Sequence, residues 1–136
     1  MVVDDHEVNR RALALMLEPL NADVVLAESG AEGLERAAAE SFDVILMDVN
    51  MPDLDGRETT RRLRQRPGPN RDVPVIACTG SDAPDEIDRC RQAGMNAHVA
   101  KPIDAATLHR TLAEALEAAS GRPLPASPQI RDAAAS

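Results

Sequence analysis

Short apolar runs alternate with helix-period segments five times along this chain, and that rhythm excludes most folds. Met1-Val2-Val3 opens it, followed by a segment over 7–20 with Val8, Ala12, Leu13, Met16, Leu17 and Leu20 on one helical face. Val24–Ala27 reads as a strand, and Ser29-Gly30 turns into an alanine-rich helix ending near Glu40. Val44–Met47 is apolar throughout, as suits a strand buried on both faces. An arginine-rich helix ends near Arg66, before the break at Pro67-Gly68-Pro69-Asn70. Val73–Cys78 is the fourth strand, and Ser81 or Asp82 is expected to cap a helix over 84–93 that Gly94 ends. Ala97–Ala100 and a helix over 104–119, with Leu108, Leu112 and Leu116 on one face, complete the series. Strands separated by helices pair in parallel through right-handed crossovers. The expected architecture is a flavodoxin-like (βα)5 doubly wound α/β sheet with strand order 2-1-3-4-5. Residues 1–119 form one domain, and 120–136 read as a flexible Ala/Pro/Ser tail.

Composition narrows the function. The 136 residues carry 15 basic and 23 acidic side chains, a net charge of −8. This argues against nucleic acid and against anionic membrane surfaces as partners. No apolar stretch approaches the ~20 residues that cross a bilayer, and no basic-then-apolar leader opens the sequence. Two cysteines, Cys78 and Cys90, suit buried reduced thiols in a cytoplasm. Phe42 is the only aromatic, which disfavours stacking on bases or a flavin. Fourteen of the fifteen basic residues are arginine, and Lys101 is the exception. A compact ammonium at one position suits a site that needs a point charge rather than a planar fork.

In open parallel sheets the ligand site lies at the carboxyl ends of the strands. The residues that follow the apolar runs there are Asp4-Asp5, Asp48, Thr79 and Lys101. Three carboxylates about 5 Å apart repel by roughly 3 kcal/mol per pair at an effective dielectric of about 20. Such a cluster wants a hard divalent cation, and Mg²⁺ keeps coordination positions free for water or phosphate oxygens. With an ammonium and a hydroxyl alongside, the pocket suits a phosphoryl group, and a carboxylate within it can be the nucleophile that forms an aspartyl phosphate.

Four separated motifs carry a family likeness: Val-Val-Asp-Asp-His-Glu-Val-Asn-Arg at 2–10, Asp-Val-Ile-Leu-Met-Asp-Val-Asn-Met-Pro-Asp-Leu-Asp-Gly at 43–56, Thr79-Gly80, and Lys101-Pro102. Gly94-Met95 before the last strand also fits. Over residues 1–117 the chain resembles a response-regulator receiver domain of two-component signalling. Asn9-Arg10 and Met-Asp-Val-Asn-Met-Pro look most like receivers attached to hybrid histidine kinases. The resemblance implies a non-enzymatic switch. Asp48 would accept a phosphoryl group from a phosphohistidine on a histidine kinase or histidine phosphotransfer protein. Asp5, Asp48 and the backbone carbonyl of Asn50 would bind Mg²⁺, with Asp4 acting through water. Lys101 would pair with the phosphoryl oxygens, and its bond to Pro102 is often cis in this fold. Thr79 would swing toward the phosphoryl group, reshaping the face made by helix four, strand five and helix five.

The chain departs from the family in three places. His98 stands where a switch aromatic is usual, with packing as its first expected role and switching or pH sensing as alternatives. Gly80 replaces the usual alanine and loosens its loop. The first strand has three residues before Asp4, against ~5–6 for a typical strand, so the natural chain is expected to extend upstream, with the receiver at the end of a hybrid kinase.

Blander roles are expected for other residues. Met47, Met51 and Met95 read as packing, and Arg57, Arg61, Arg62, Arg64 and Arg66 as a solvated helix face. Asp4 and Asp5 have helix capping as their alternative, as Thr79 does, while His6 lies beside the acidic pair with metal binding as a minor reading. Two rival functions remain. A pseudo-receiver that only binds proteins would normally lack an acidic or lysine position, and all are present here. A haloacid-dehalogenase-type phosphatase would use Asp53-Leu54-Asp55-Gly56, but that motif should directly follow a strand and here lies in a loop.

Overall fold

The computed structural model describes residues 1–120. The strands are β1 (Val2–Val3), β2 (Leu26–Ala27), β3 (Ile45–Asp48), β4 (Val75–Thr79) and β5 (Ala97–Ala100). They alternate with α1 (Glu7–Leu17), α2 (Gly30–Ala39), α3 (Gly56–Gln65), α4 (Pro84–Gln92) and α5 (Ala105–Ser120). All pairings are parallel, in the order β2-β1-β3-β4-β5, as the alternation predicts. The tail expected from residue 120 onward lies outside the described residues, apart from Ser120, which closes α5.

Side chains alternate across each strand, so the sheet has two cores. Val3, Ile45, Met47, Val75 and Ala77 face one way and pack with Leu34 and Ala37 of α2, Leu63 of α3 and Cys90 of α4. Val2, Leu46, Ile76, Cys78 and Val99 face the other way, against Leu13 and Leu17 of α1 and Leu108 and Leu112 of α5. Both cysteines are buried free thiols, and Met47, Met51 and Met95 are buried in the first core, as expected.

The chain departs from the expected local structure where particular groups intervene. Pro19 has no N–H to continue α1, so a single 3-10 turn over Glu18–Leu20 follows Leu17, closed by Asn21 at φ 56°. Val8, placed on the buried face by periodicity, is 78% exposed. Neither Ser81 nor Asp82 is the N-cap of α4; Ala83 occupies it, and Pro84 opens the helix with the φ it is built for. Gly94 does terminate α4, at φ 105°, where a Cβ would meet Arg64 Cγ at 2.9 Å. The Lys101-Pro102 peptide is cis.

Two long-range clamps were illegible from the pattern. The Asn70 side chain accepts from Phe42 N–H at 2.8 Å and donates to the carbonyls of Ala37 and Glu40 at 2.6 and 2.7 Å. It thereby ties the α3–β4 connection to the end of α2. Arg64, expected on a solvated face, instead donates to the Gly94 carbonyl at 3.1 and 2.8 Å, to the Arg71 carbonyl at 2.9 Å and to Asn96 Oδ1 at 2.9 Å. Removing Asn70 leaves buried backbone groups unpaired, at ~1–3 kcal/mol each. Asn70→Ala is therefore expected to lower unfolding free energy by about 2–4 kcal/mol, and Arg62→Ala, on an exposed ion pair, by less than about 1 kcal/mol; urea titrations followed by far-UV circular dichroism check both.

Candidate functional site

The strand register brings the site together. Val3 pairs with both Ala27 and Met47, Asp48 with Cys78, and Thr79 with Ala100, so all five strands leave the sheet at one edge. Backbone bonds hold each exit: Asp4 N–H to Ala27 at 3.1 Å, Val49 N–H to Cys78 at 3.1 Å, and Lys101 N–H to Thr79 at 2.7 Å. Asp4 and Asp48 are 0% and 1% exposed there, and Asp5 is partly exposed. One ligand atom from each of Asp4, Asp5, His6 and Asp48 lies within 4.8 Å of the others.

Partners are unevenly shared among these groups. Asp48 Oδ1 accepts from Lys101 Nζ at 2.8 Å and from the Asn50 N–H at 3.3 Å. Asp4 Oδ1 accepts from the His6 N–H at 2.9 Å, while the Asp4 carbonyl accepts from Arg10 Nη1 at 2.7 Å. Three buried oxygens have no hydrogen bond: Asp4 Oδ2, Asp5 Oδ1 and Asp48 Oδ2. Unsatisfied buried carboxylate oxygens are costly, and a single ammonium cannot neutralise three carboxylates. Orphaned, hard, anionic oxygens are the donor set that Mg²⁺ takes, so the residues present fit such an ion.

Burial raises the Asp48 pKa above the ordinary carboxylate range, with the Lys101 hydrogen bond opposing and the Asp4 charge assisting. Burial works against the Lys101 ammonium, but the hydrogen bond and charge of Asp48 outweigh it and raise its pKa. Cys78, paired with Asp48 in register, has its thiol pushed up to about 12 by burial, which keeps it out of the chemistry.

The remaining candidates stand apart from the cluster. The Thr79 hydroxyl is turned into its own loop, donating to the Ser81 carbonyl and accepting from the Ser81 N–H at 2.8 Å. His98 is half-buried and pairs with Ala77. Since Thr79 pairs with Ala100, two residues on, His98 and Thr79 share one face of the sheet. The Asp53–Gly56 motif is structural: Asp55 caps α3 by accepting from Glu58 N–H at 2.8 Å. The sequence pattern marks Gly56 only as the last residue of two motifs. A Cβ there would meet the Asp48 carbonyl at 2.2 Å, so only glycine lets α3 begin against the phosphoacceptor candidate.

A family model described as the response regulator receiver domain matches residues 1–113. Over 113 residues the chain is 37% identical to the sensor histidine kinase RcsC of Salmonella typhimurium, covering 83% of this chain and 12% of RcsC. It is 38% identical over 112 residues to the signal transduction histidine-protein kinase BarA of Shigella flexneri, covering 82% of this chain and 12% of BarA. The chain thus spans about an eighth of the length of these relatives. Among solved structures, the receiver domain of a sensor histidine kinase from Pseudomonas aeruginosa, with magnesium coordinated in its active-site cleft, superposes with a TM-score of 0.77 at 36% identity, covering 85% of this chain and 93% of that one. The chemotaxis protein CheY4 of Vibrio cholerae superposes with a TM-score of 0.78 at 29% identity, covering 84% and 94%. No described helix is long and apolar enough to cross a membrane.

The raised Asp48 pKa fixes the sign of a pH effect. The folded protein holds this proton to higher pH than the unfolded chain, so that contribution to stability is complete below the unfolded pKa and is lost as pH rises through the folded value. At neutral pH the ionised cluster is a liability that a cation relieves. Mg²⁺ is expected to raise the melting temperature at neutral pH, with the gain vanishing in acid. Asp5→Asn is expected to raise metal-free stability by about 1–2 kcal/mol, less than the unscreened repulsion because Asp5 is partly exposed to solvent, and to lose most of the gain from Mg²⁺; melts with and without Mg²⁺ across pH measure both.

Proposed function

The chain belongs to the response regulator receiver domain family of two-component signalling, and from that premise we propose that it is a phosphoacceptor in a phosphorelay. Asp48 takes the phosphoryl group from a phosphohistidine on a histidine kinase or histidine phosphotransfer protein. A carboxylate oxygen of Asp48 forms the new P–O bond as the P–N bond breaks, and the imidazole nitrogen keeps the electron pair. The observation that carries this reading is the placement of Lys101 Nζ, the only lysine, 2.8 Å from Asp48 Oδ1 beside the unpartnered Asp4 Oδ2 and Asp48 Oδ2.

Asp5, Asp48 and the Asn50 carbonyl would hold Mg²⁺, with Asp4 acting through water. The bound ion supplies neutralisation of the phosphoryl oxygens and of the acidic cluster. Lys101 stands on the other side of Asp48 and holds its carboxylate in place. It later pairs with the phosphoryl oxygens that arrive there. Thr79, released from Ser81, donates its hydroxyl to the phosphoryl group. His98, on the same sheet face, follows that movement in place of an aromatic. The transition shifts a population between two states of the α4–β5–α5 face. The likeness to RcsC and BarA supports a place within a hybrid sensor kinase relay, working in the cytoplasm, where kinase and ATP are available.

Incubation with acetyl phosphate and Mg²⁺ is expected to add the mass of one phosphoryl group to the intact protein and none to Asp48→Ala. Lys101→Ala is expected to retain Mg²⁺ binding but to label at least tenfold more slowly, because a charge-stabilising donor is worth ~10²–10³ in rate at comparable sites. Labelling of Asp48→Ala would put the acceptor at another residue, and no labelling of the parent despite bound Mg²⁺ would favour a receiver that acts only by binding proteins.

A further inference from the structure

His6 occupies a position that a magnesium site does not need. It is the N-cap residue of α1, yet its side chain makes no capping bond. Its N–H is held by Asp4 Oδ1 at 2.9 Å, which directs the ring over the acidic pocket. There His6 Nδ1 stands 3.2 Å from Asp5 Oδ1 and 3.9 Å from Asp4 Oδ1. The ring nitrogen joins the three carboxylates in a four-donor cluster whose atoms span no more than 4.8 Å. The cluster does not stand on its acidity alone. Asp4 and Asp48 are buried and each aims an unpartnered Oδ2 into it.

We propose that His6 is a nitrogen donor to this pocket, so that the site takes a first-row transition dication of the Co²⁺, Ni²⁺ or Zn²⁺ class more tightly than Mg²⁺. Imidazole is a poor ligand for the hard Mg²⁺ ion and a good one for these metals, whose affinity for mixed nitrogen and oxygen sites rises along the series. Donors about 2.1 Å from a metal lie roughly 3.4 Å apart in a tetrahedral shell and up to about 4.2 Å apart across an octahedral one. The observed span of up to 4.8 Å therefore needs an adjustment of about 0.6 Å for the octahedral shell and about 1.4 Å for the tetrahedral one. His6 is the group free to make it, with its side chain 69% exposed and unpacked. His98 and His109 lie elsewhere: His98 on β5, and His109 on α5 with Nε2 2.7 Å from the Met16 carbonyl. The inference rests on the same pocket as the phosphoacceptor reading, but concerns which ions the pocket prefers.

Calorimetric titration of the untagged protein with Co²⁺ and separately with Mg²⁺ tests it, on the parent, His6→Ala and Asp5→Asn. The parent is expected to bind Co²⁺ more tightly than Mg²⁺. His6→Ala is expected to lose at least tenfold in Co²⁺ affinity while its Mg²⁺ affinity stays within about twofold, since oxygen donors hold that ion. The visible absorption of bound Co²⁺ is expected to change with the loss of a nitrogen donor. Asp5→Asn is expected to lose both ions. Equal Co²⁺ affinity in parent and His6→Ala, with Mg²⁺ binding intact, overturns the inference and leaves the phosphoacceptor reading standing. Failure of the parent to bind either ion overturns both.

Discussion

Mutual repulsion among carboxylates that the sheet cannot move apart governs this domain. Asp4 follows β1 and Asp48 ends β3, two neighbouring strands locked in parallel register. Asp5 is the next residue along, so the three charges converge as a consequence of the fold. At the observed spacing each pair costs about 3 kcal/mol at an effective dielectric of about 20, against a typical domain stability of about 5–15 kcal/mol. Two apolar cores, one on each face of the sheet, oppose that repulsion. Lys101 relieves part of it through Asp48 Oδ1, and the oxygens left over define where a cation belongs.

The surroundings make the acidic edge rigid on one side and yielding on the other. Gly56 lets α3 start directly against the Asp48 carbonyl, and its N–H bonds the Val49 carbonyl at 3.0 Å, which pins the loop after β3. Arg10 holds the Asp4 carbonyl from the α1 side. The loop after β4 differs. The Thr79 hydroxyl bonds only Ser81 there, the Ser81 hydroxyl accepts from the Ala83 N–H at 3.2 Å, and a Cβ at Gly80 would touch nothing within 4 Å. Glycine at that point is therefore not a steric necessity but a source of backbone freedom. A hydroxyl held only by its own loop, at the edge of an otherwise fixed site, has somewhere to move.

Most of this was legible in the chain. The alternation of apolar runs and helical segments specifies a parallel doubly wound sheet, because few other arrangements bury such runs on both faces. The residues that follow those runs locate the site, and composition singles out Lys101. What stayed hidden depends on contacts distant in sequence. Asn70 looks like a turn residue within a Pro-Gly-Pro break, and only the fold brings it under the end of α2. Arg64 looks like one more arginine on a polar face until Gly94 and Asn96 arrive beside it. Val8 fits the helical period, yet it is exposed while Arg10, in the same first turn of α1, is the residue buried there. His6 reads as a neighbour of two aspartates, and its direction over them becomes visible only with the backbone bond to Asp4.

The group held between Lys101 and the acidic pair, Asp48, is the one expected to become phosphorylated. Borohydride reduction after acetyl phosphate treatment converts an aspartyl phosphate to homoserine, and peptide mapping then places it in the chain. Homoserine is expected at position 48 and at no other aspartate, dependent on Mg²⁺. Homoserine at position 4 or 5, or its absence from a folded protein that binds Mg²⁺, would contradict it.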